Sequence, residues 1–458
     1  IRVKIIIILV ICILPQIASG QLSAPKRLMT DLLEHTESVF QNGLLTNIPI
    51  EEALQRQDIQ VARIHSSTPR FSWQMASEEP NTIQSAFQLQ VATNPELLLK
   101  DTPDMWDSRK VLSPKNTAII YAGKQLKPNT CYYWSVRVWN QNDSISPDSE
   151  IKAFVTAKEF SQTISRYPLI KRKEYAKSIT RYPDSYFIDF GNATFGQLDF
   201  TLFSHRPNDT VTLHLSEAQK DGHTDNHPGG SVRYTKYRIP LRQGLHTYKL
   251  NIKPDKRNTD PNANESGVRP ILMPDYIGEV YPFRYCELEG YNGFLHTHDI
   301  TRNSVNYPFD NGASWFSSND TILNQVWNLC KHSIQATSFC GVYVDGDRER
   351  IPYEADAYIN QLSHYGTDLE FTMARYSVDY LMEWPTWPTE WIMQSILMLW
   401  NDYIYTGDTT LLQRHYDSLH ARTLSALTDS IGLISTRTGK QTPGFLKSIG
   451  FRGKAIRD

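Results

Sequence analysis

The hydrophobic periodicity of this chain changes near residue 317. Before it, short runs alternate between apolar and polar side chains, and Trp134, Val136 and Val138 alternate with Ser135 and Arg137. After it, apolar residues recur at helical spacing. A period of two indicates strands and a period near 3.6 indicates helices. The chain is therefore predicted to fold as β domains followed by helices, and its 458 residues are enough for about three domains.

The β part divides into two blocks. Residues 61–158 contain short strand-like runs punctuated by turn residues such as Asn94-Pro95, which predicts an immunoglobulin- or fibronectin-III-like β-sandwich. The basic and polar segment 161–185 is predicted as a linker. Residues 186–300 alternate again and predict a jelly-roll-like β-sandwich. Both sandwiches are interpreted mainly as structural, with carbohydrate binding as the alternative for the second.

Residues 313–458 predict successive helices joined by short loops, which makes neighbouring helices antiparallel. Asn319-Asp320 can cap the first helix, and its apolar side carries Ile322, Leu323, Val326, Trp327 and Cys330. Further helices are predicted at residues 357–365, 370–382, 389–405 and 410–430. In the loop between the last two, Gly407 suits a helix end and Asp408 suits an N-cap.

Residues 1–20 resemble a signal peptide. Arg2 and Lys4 form a positive start, and the apolar run from Ile5 to Ile13 is too short to span a bilayer comfortably. Small residues precede Gln21. We therefore expect export to the periplasm, the cell surface or the medium, with no membrane span after cleavage.

Bulk composition excludes several classes of function. A net charge of −2 gives no electrostatic case for nucleic-acid binding. Four cysteines remain once Cys12 leaves with the signal peptide, too few for a disulfide scaffold in so long a chain. Cys330 and Cys340 lie on an apolar helical stretch and are expected to be buried thiols rather than a metal site, and no zinc-ligand spacing is present. We expect no metal and no cofactor, and the sequence indicates no particular oligomeric state.

The densest charge lies in a twelve-residue stretch that begins at Asp345 and reads DGDRERIPYEAD. Such charge between core-forming elements is costly unless it lines a cleft. A solvated surface loop is one alternative. Calcium is another, because Asp345, Asp347, Glu349 and Asp356 occupy positions 1, 3, 5 and 12 of an EF-hand-like count. However, Arg350 stands where that loop needs glycine, which argues against calcium.

General acid catalysis is the chemical interpretation of this stretch. A carboxylic acid near like charges and away from bulk water keeps its proton to higher pH. Glu349 is the candidate acid. Asp345, Asp347 and Asp356 are candidates for holding sugar hydroxyls, because a carboxylate accepts several hydrogen bonds.

The same residues resemble the signature of the α-L-rhamnosidases of glycoside hydrolase family 78. There, an Arg-Glu-Arg or Asp-Glu-Arg group is followed by Trp four residues after the Glu and by Asp three residues further on. Glu349, Tyr353 and Asp356 keep both spacings. The resemblance implies that Glu349 is the general acid and that Asp345, Arg348 and Asp356 line a rhamnose subsite. Tyr353 would replace the usual Trp.

The spacer before Glu349 is shorter than the commonest form of the signature, so Asp345 and Asp347 compete for the role of the first Asp. The resemblance also implies an (α/α)6 barrel in residues 313–458, of which only about five helices are visible. The expected fold is therefore two β-sandwich domains followed by an incomplete (α/α)6 barrel. The chain would be the first part of a longer enzyme, and its general base would lie beyond Asp458.

A second informative stretch, rich in aromatic residues, runs from Trp384 to Trp391 and is broken by two prolines. It predicts a loop that ends in a helix start. Trp387 and Trp391 are candidates for stacking on a sugar, with packing as the alternative. Glu390 is either a second site carboxylate, the runner-up general base within this chain, or an acid favoured by the helix dipole.

Two functions from different classes follow. The first is an inverting exo-glycosidase that removes terminal α-L-rhamnose from a glycoside or polysaccharide. The second is a secreted, non-catalytic carbohydrate-binding protein. The presence of a second catalytic carboxylate would distinguish the glycosidase from the binding protein.

Overall fold

The computed structural model describes residues 22–260, 269–386 and 389–449. The predicted signal peptide, residues 1–20, lies outside the described residues. Strands occupy the chain up to residue 306, and helices dominate from residue 321 onwards. A β-rich multidomain chain with a helical part is therefore confirmed at this level.

The first β-rich part carries twelve strands and two short helices: β1 Ser23–Thr30, β2 Val39–Gln41, β3 Leu44–Leu45, α1 Ile50–Ala53, β4 Ile59–Val61, β5 Arg63–Ile64, β6 Arg70–Ala76, β7 Gln84–Ala92, α2 Pro95–Leu99, β8 Trp106–Asp107, β9 Val111–Leu112, β10 Ile119–Ile120, β11 Cys131–Asn140 and β12 Lys152–Thr156. One sheet has the order β1-β6-β10, and another has the order β5-β12-β11-β7-β8, with β9 beside β7. Strands β2, β3 and β4 form a small third sheet.

The alternating apolar side chains of this part fill its core. Trp134 on β11 is wholly buried, and its Nε1 donates to Oγ1 of Thr30 on β1 at 3.0 Å. The ring of Phe71 on β6 lies 4.7 Å from that of Trp134, centroid to centroid. A buried indole thus keeps its hydrogen bond while it packs both sheets together.

Strand β1 precedes the predicted start of the first sandwich. It pairs antiparallel with β6, but its register shifts twice, and Arg27 within it has φ 49°. Bulges of this kind break the alternation of side chains. For that reason the sequence pattern did not reveal this strand.

The second β-rich part carries, in its described residues, ten strands and one short helix: β13 Ile170–Tyr175, β14 Ser178–Arg181, β15 Ser185–Ser204, β16 Thr210–Ser216, β17 Gln219–Lys220, β18 His223–Thr224, β19 Tyr234–Pro240, β20 Gly244–Lys249, α3 Lys256–Thr259, β21 Tyr281–Glu289 and β22 Ile300–Asn306. Its main sheet has the order β13-β22-β15-β21-β16-β19, and β14 and β20 both pair with β15. Strands β17 and β18 form a separate hairpin.

The prediction of a linker at 161–185 is wrong for residues 170–181. Strand β13 pairs along its whole length with β22, and β14 pairs with β15. The side chains of both strands are mostly half-buried or exposed. Backbone hydrogen bonds rather than buried apolar side chains hold them, and charged residues are common on such edge strands.

The helical part contains α4 Thr321–Thr337, α5 Glu354–Tyr365, α6 Thr372–Glu383, α7 Thr389–Ile392, α8 Gln394–Thr406, α9 Thr410–Arg422 and α10 Pro443–Ser448. Two of the predicted caps are present: Oδ1 of Asp320 accepts from Ile322 N at 2.8 Å, and Gly407 takes φ 66° at the end of α8. The N-cap of α9 is Thr409 rather than the predicted Asp408, although Asp408 Oδ1 accepts from Thr410 N at 2.7 Å. The helix predicted at 389–405 is interrupted at Met393. The helix predicted at 410–430 stops at Arg422, because Leu424 turns to φ 57°.

Helix α4 lies at the surface with its apolar side uncovered. The exposed fractions of Ile322, Leu323 and Val326 are 68%, 51% and 49%. Cys330, on the same helix, is exposed, so the prediction that it is buried is wrong, whereas Cys340 is buried as predicted. No helix among the described residues combines the length and apolar character needed to cross a membrane.

Candidate active site

The charged stretch forms a tight loop between a short turn that ends at Cys340 and helix α5. Asp345 closes it, because its backbone N–H donates to Ile351 O at 3.1 Å and its Oδ1 accepts from Ile351 N at 3.2 Å. Gly346 and Arg350 both take positive φ, 113° and 53°. For an arginine this left-handed backbone is uncommon. It reverses the chain, so consecutive side chains leave the loop in different directions.

One side of the loop is anchored to the second β-rich part. Oδ2 of Asp347 lies 2.6 Å from Arg233 Nε, and Asn258 Nδ2 donates to the backbone oxygen of Asp347 at 2.7 Å. Arg350 is 2% exposed and pairs with Asp347 at 3.1 Å and with Glu279 at 2.7 Å. These buried charges are mutually paired, as buried charges must be. Asp347 and Arg350 therefore serve as anchors that fix the loop.

The other side of the loop presents Asp345, Arg348 and Glu349. The side chain of Arg348 is 65% exposed, and its Nε lies 3.2 Å from Glu349 Oε1. Asp345 Oδ2 is buried and has no hydrogen-bond partner in the part of the chain that the structure describes, and Arg348 Nη2 lies 3.7 Å from it. Burial, with Glu349 nearby, raises the pKa of Asp345 to about 6. A buried acceptor without a donor is costly, so this oxygen is suited to receive a hydroxyl from a ligand.

Glu349 is 35% exposed and is bonded from one side. The hydroxyl of Tyr353 donates to Glu349 Oε2 at 2.7 Å. Burial and this hydrogen bond raise the pKa of Tyr353 well above its usual value. The phenol therefore keeps its proton and orients the carboxyl group, whose other oxygen, Oε1, lies beside the exposed Arg348.

Tyr353 also contacts the aromatic stretch. Its ring meets that of Trp391 edge to face, with 5.6 Å between centroids. Trp391 lies on α7 and is half-buried, whereas Trp387 lies outside the described residues. Glu390, one residue before Trp391, is exposed. Trp391 and Glu349 therefore both contact Tyr353.

Helix α5 supplies two further acids from its first turn. Asp356 is half-buried, and burial raises its pKa, while Arg348 opposes that shift. Glu354 is wholly buried and accepts both the backbone N–H and the hydroxyl of Thr386. Through these two bonds Glu354 ties α5 to the segment that leads to the tryptophans.

Four residues of this arrangement were not singled out from the sequence: Arg233, Asn258, Glu279 and Glu354. The first three belong to the second β-rich part, and Asn258 is 89 residues away from Asp347 along the chain. No local pattern marks them, since they act only through tertiary contact. A buried acid in a first helical turn, such as Glu354, looks in sequence like an ordinary helix-dipole partner.

The calcium interpretation receives no support. The carboxylate of Asp347 turns to Arg233 and Arg350, whereas Glu349 binds Tyr353. Within residues 22–260, 269–386 and 389–449, no group of three or more His, Cys, Asp or Glu side chains is arranged to hold a metal ion.

Two regions match known family models. Residues 55–158 match the model described as Rha78A-like, N-terminal immunoglobulin domain. Residues 311–433 match the model described as bacterial alpha-L-rhamnosidase 6 hairpin glycosidase domain. The second region contains the whole charged loop and the aromatic stretch.

Curated relatives match a shorter region. An alpha-L-rhamnosidase of Streptomyces avermitilis is 46% identical over 83 residues, which is 18% of this chain and 8% of that protein. An alpha-L-rhamnosidase of Formosa agariphila is 36% identical over 111 residues, 24% of this chain and 12% of that protein. The matched region is therefore a small part of the length of these relatives.

Solved structures share the fold over most of the chain. The alpha-L-rhamnosidase from Dictyoglumus thermophilum has a TM-score of 0.62 at 14% identity, covering 89% of this chain and 65% of that one. The alfa-L-rhamnosidase from Aspergillus terreus has a TM-score of 0.64 at 9% identity, covering 90% and 66%. The resemblance to the α-L-rhamnosidases of glycoside hydrolase family 78, first drawn from the loop at Asp345, is thus confirmed, over part of the length of those proteins.

Proposed function

We propose that this chain carries the rhamnose-binding and proton-donating part of an inverting exo-α-L-rhamnosidase, with Glu349 as the general acid. The observation that carries the proposal is the hydrogen bond from Tyr353 to Glu349. It orients one carboxyl group toward solvent in a loop whose deeper charges are already paired. In an inverting mechanism such a group protonates the departing oxygen while a distant carboxylate activates water.

The sugar ligand is assigned to Asp345 rather than to Asp347. The two carboxylate oxygens of Asp347 lie 2.6 Å from Arg233 and 3.1 Å from Arg350, whereas the ion pair of Asp345 Oδ2 is the longer one of 3.7 Å to the exposed Arg348. Arg348 and Asp356 complete the proposed subsite, and Tyr353 and Trp391 form its aromatic wall. Trp387 belongs to this wall by the sequence prediction alone.

The finer architecture is part of this proposal. The two β-rich parts, predicted at 61–158 and 186–300 and extended in the structure by β1, β13 and β14, are two β-sandwiches, and the helices from α4 onwards belong to the first part of an (α/α)6 barrel. A signal peptide at residues 1–20 exports the protein. The general base is expected beyond Asp458, with the exposed Glu390 as runner-up. The stereochemistry is tested by proton NMR of the first product, because β-L-rhamnose indicates inversion and α-L-rhamnose would contradict it.

Non-catalytic carbohydrate binding is the second candidate function. It shares the loop and the aromatic wall but needs no general base. A chain that binds L-rhamnose and hydrolyses no rhamnoside, even within a longer protein, would favour it.

Trp391→Ala is expected to weaken binding of L-rhamnose by about 1–3 kcal/mol, the range for loss of an aromatic platform under a ligand. Calorimetric titration of the variant measures this, with Trp315→Ala as a matched control. Trp315 is 83% exposed and belongs to no proposed subsite. If Trp391→Ala binds rhamnose normally and only unfolds at a lower temperature, Trp391 is a packing residue.

The 458-residue chain by itself is expected to self-associate and to leave rhamnosides intact. Apolar side chains on three helices are exposed in the structure, and patches of that kind drive association: Ile322, Leu323, Val326 and Leu329 on α4, Ile359 and Leu362 on α5, and Leu397, Trp400 and Ile404 on α8. Light scattering coupled to size exclusion measures the association.

A matched pair of variants tests the cause. Replacing Ile322 and Leu329 with Gln should reduce association, whereas replacing Ile83 and Leu112, exposed in the first β-rich part, should not. A monodisperse monomer with clear rhamnosidase activity would contradict this prediction and make Glu390 the first carboxylate to replace.

A further inference from the structure

A cleft of about 560 Å³ adjoins the anchored side of the charged loop. Strand β19, helix α3 and the start of β21 form its walls, and Asp347 and Arg350 of the loop line it. The short helix α3 sits directly on the loop, because Asn258 within it donates to the backbone oxygen of Asp347 at 2.7 Å. Asp347 and Glu349 are two residues apart, so their Cα atoms are within about 7 Å of one another. The cleft and the proposed rhamnose site therefore lie on two sides of the same short loop.

The floor of this cleft is electrically balanced. Arg233 pairs with Asp347 and Asp255, and Arg350 pairs with Glu279. Arg257, at the rim, also pairs with Asp255, and the two charged groups are 2.7 Å apart. Paired groups of this kind leave no charge for a ligand.

The positive charges at the rim of the cleft are not balanced by acidic side chains. Lys236, Lys253 and Lys256 line the cleft with exposed side chains, and none of them forms an ion pair with a described residue. Among the described residues, six cationic side chains line the cleft against three acidic ones. This excess stands on a chain whose net charge is −2, so it is a local concentration rather than a general property of the surface. A cleft lined by charge of one sign raises the local concentration of the opposite sign.

The same cleft offers groups that suit a sugar. Tyr234, Tyr237 and Tyr281 line it and are half-buried, and Thr235 adds a hydroxyl group. Tyrosine presents an apolar ring face with a polar tip, which fits the mixed surface of a pyranose. A small inorganic anion needs no aromatic wall.

We infer that this cleft binds the anionic part of a glycan, its carboxylate or sulfate groups, while the terminal rhamnose of the same glycan lies at the loop. The inference rests on the proposed function. It names the class of the group that carries the rhamnose: an acidic saccharide rather than a neutral aromatic aglycone.

The test compares three ligands on the full chain by saturation-transfer NMR, which needs only micromolar protein. They are a rhamnosyl-glucuronic acid disaccharide, its neutral methyl ester and an O-sulfated rhamnosyl disaccharide. We expect the acid to bind about tenfold more tightly than the ester at low salt, since three exposed charge contacts contribute modestly each. That advantage should shrink as salt screens it. Comparison of the acid with the sulfated ligand shows which anionic group the cleft prefers.

Two triple variants, which remove the same number of positive charges, test whether the anionic group binds in this cleft. Replacing Lys236, Lys253 and Lys256 with Gln should remove the advantage of the acid over the ester. Replacing Lys173, Lys177 and Lys220, exposed lysines outside the cleft, should preserve it. Equal loss in both variants, or no difference between acid and ester, would overturn the inference.

Three further ligands separate this inference from the proposed function. Free L-rhamnose should bind both triple variants as it binds the unmodified chain, and its failure to bind any of them counts against the proposed function. A rhamnose-free oligogalacturonate that needs the three cleft lysines supports the anionic cleft in either case. Polyphosphate that binds as tightly as the acidic saccharides would indicate a general polyanion surface and overturn the inference.

Discussion

Glu349→Gln is expected to lower kcat on natural rhamnosides by about 10²- to 10⁴-fold, because the departing oxygen loses its proton donor. The amide preserves the shape of the side chain and still accepts the hydrogen bond from Tyr353. Substrate binding should therefore change little, and the loss should appear in kcat rather than in KM. The measurement uses a preparation that hydrolyses rhamnosides, either this chain or a longer protein that contains it.

The leaving group provides the internal control. Aryl rhamnosides with good leaving groups need little protonation, so Glu349→Gln should impair their hydrolysis much less. Glu383→Gln, at the exposed end of α6, is a matched control outside the proposed site and should leave both substrates unaffected. An equal loss on natural and activated substrates would rule out the acid role. If Glu390→Gln abolishes hydrolysis of both, Glu390 is the base.

The sequence was most informative where chemistry depends on short spacing. Glu349 and Tyr353 are four residues apart, and the structure joins them by a hydrogen bond. The caps at Asp320 and Gly407 were likewise predictable, because each depends on the residue itself and its immediate neighbours.

The partners of the loop were not predictable, because they depend on how distant parts of the chain pack. Arg233 and Glu279 come from the second β-rich part and meet the loop only in the folded chain. Strand β13 was missed for a related reason. Its sequence is polar, and only its backbone pairing with β22 shows that it is a strand.

The two arginines of the loop show that even within one motif the sequence does not predict which side chain is buried. Arg348 and Arg350 flank Glu349 symmetrically in sequence, yet the side chain of the first is 65% exposed and that of the second is 2% exposed. The positive φ of Arg350 turns its side chain inward. No rule of composition or spacing distinguishes the two, so only the structure assigns one to the ligand side and the other to the anchor.

This difference between the arginines leads to a second large expected effect. Arg350→Met should destabilise the loop by about 3–5 kcal/mol, the usual cost of removing one partner from a buried ion pair. Glu279 and Asp347 would each lose a cation, and Asp347 would keep only Arg233. Amide hydrogen exchange of peptides covering residues 341–356 measures the free energy of local opening, and thermal unfolding measures the wider effect.

Arg348→Met is the matched control, since it makes the same substitution two residues away in the same loop. Its exposed ion pairs should contribute less than about 1 kcal/mol to stability. If Arg348 lines the rhamnose subsite, that variant should weaken rhamnose binding while the loop stays protected from exchange. Adding Glu279→Gln to Arg350→Met should recover part of the lost stability, because the unpaired buried carboxylate is then neutral. Equal effects of the two arginine variants on exchange would show that the inward ion pairs do not anchor the loop. The proposed orientation of Glu349 would then lose its structural basis.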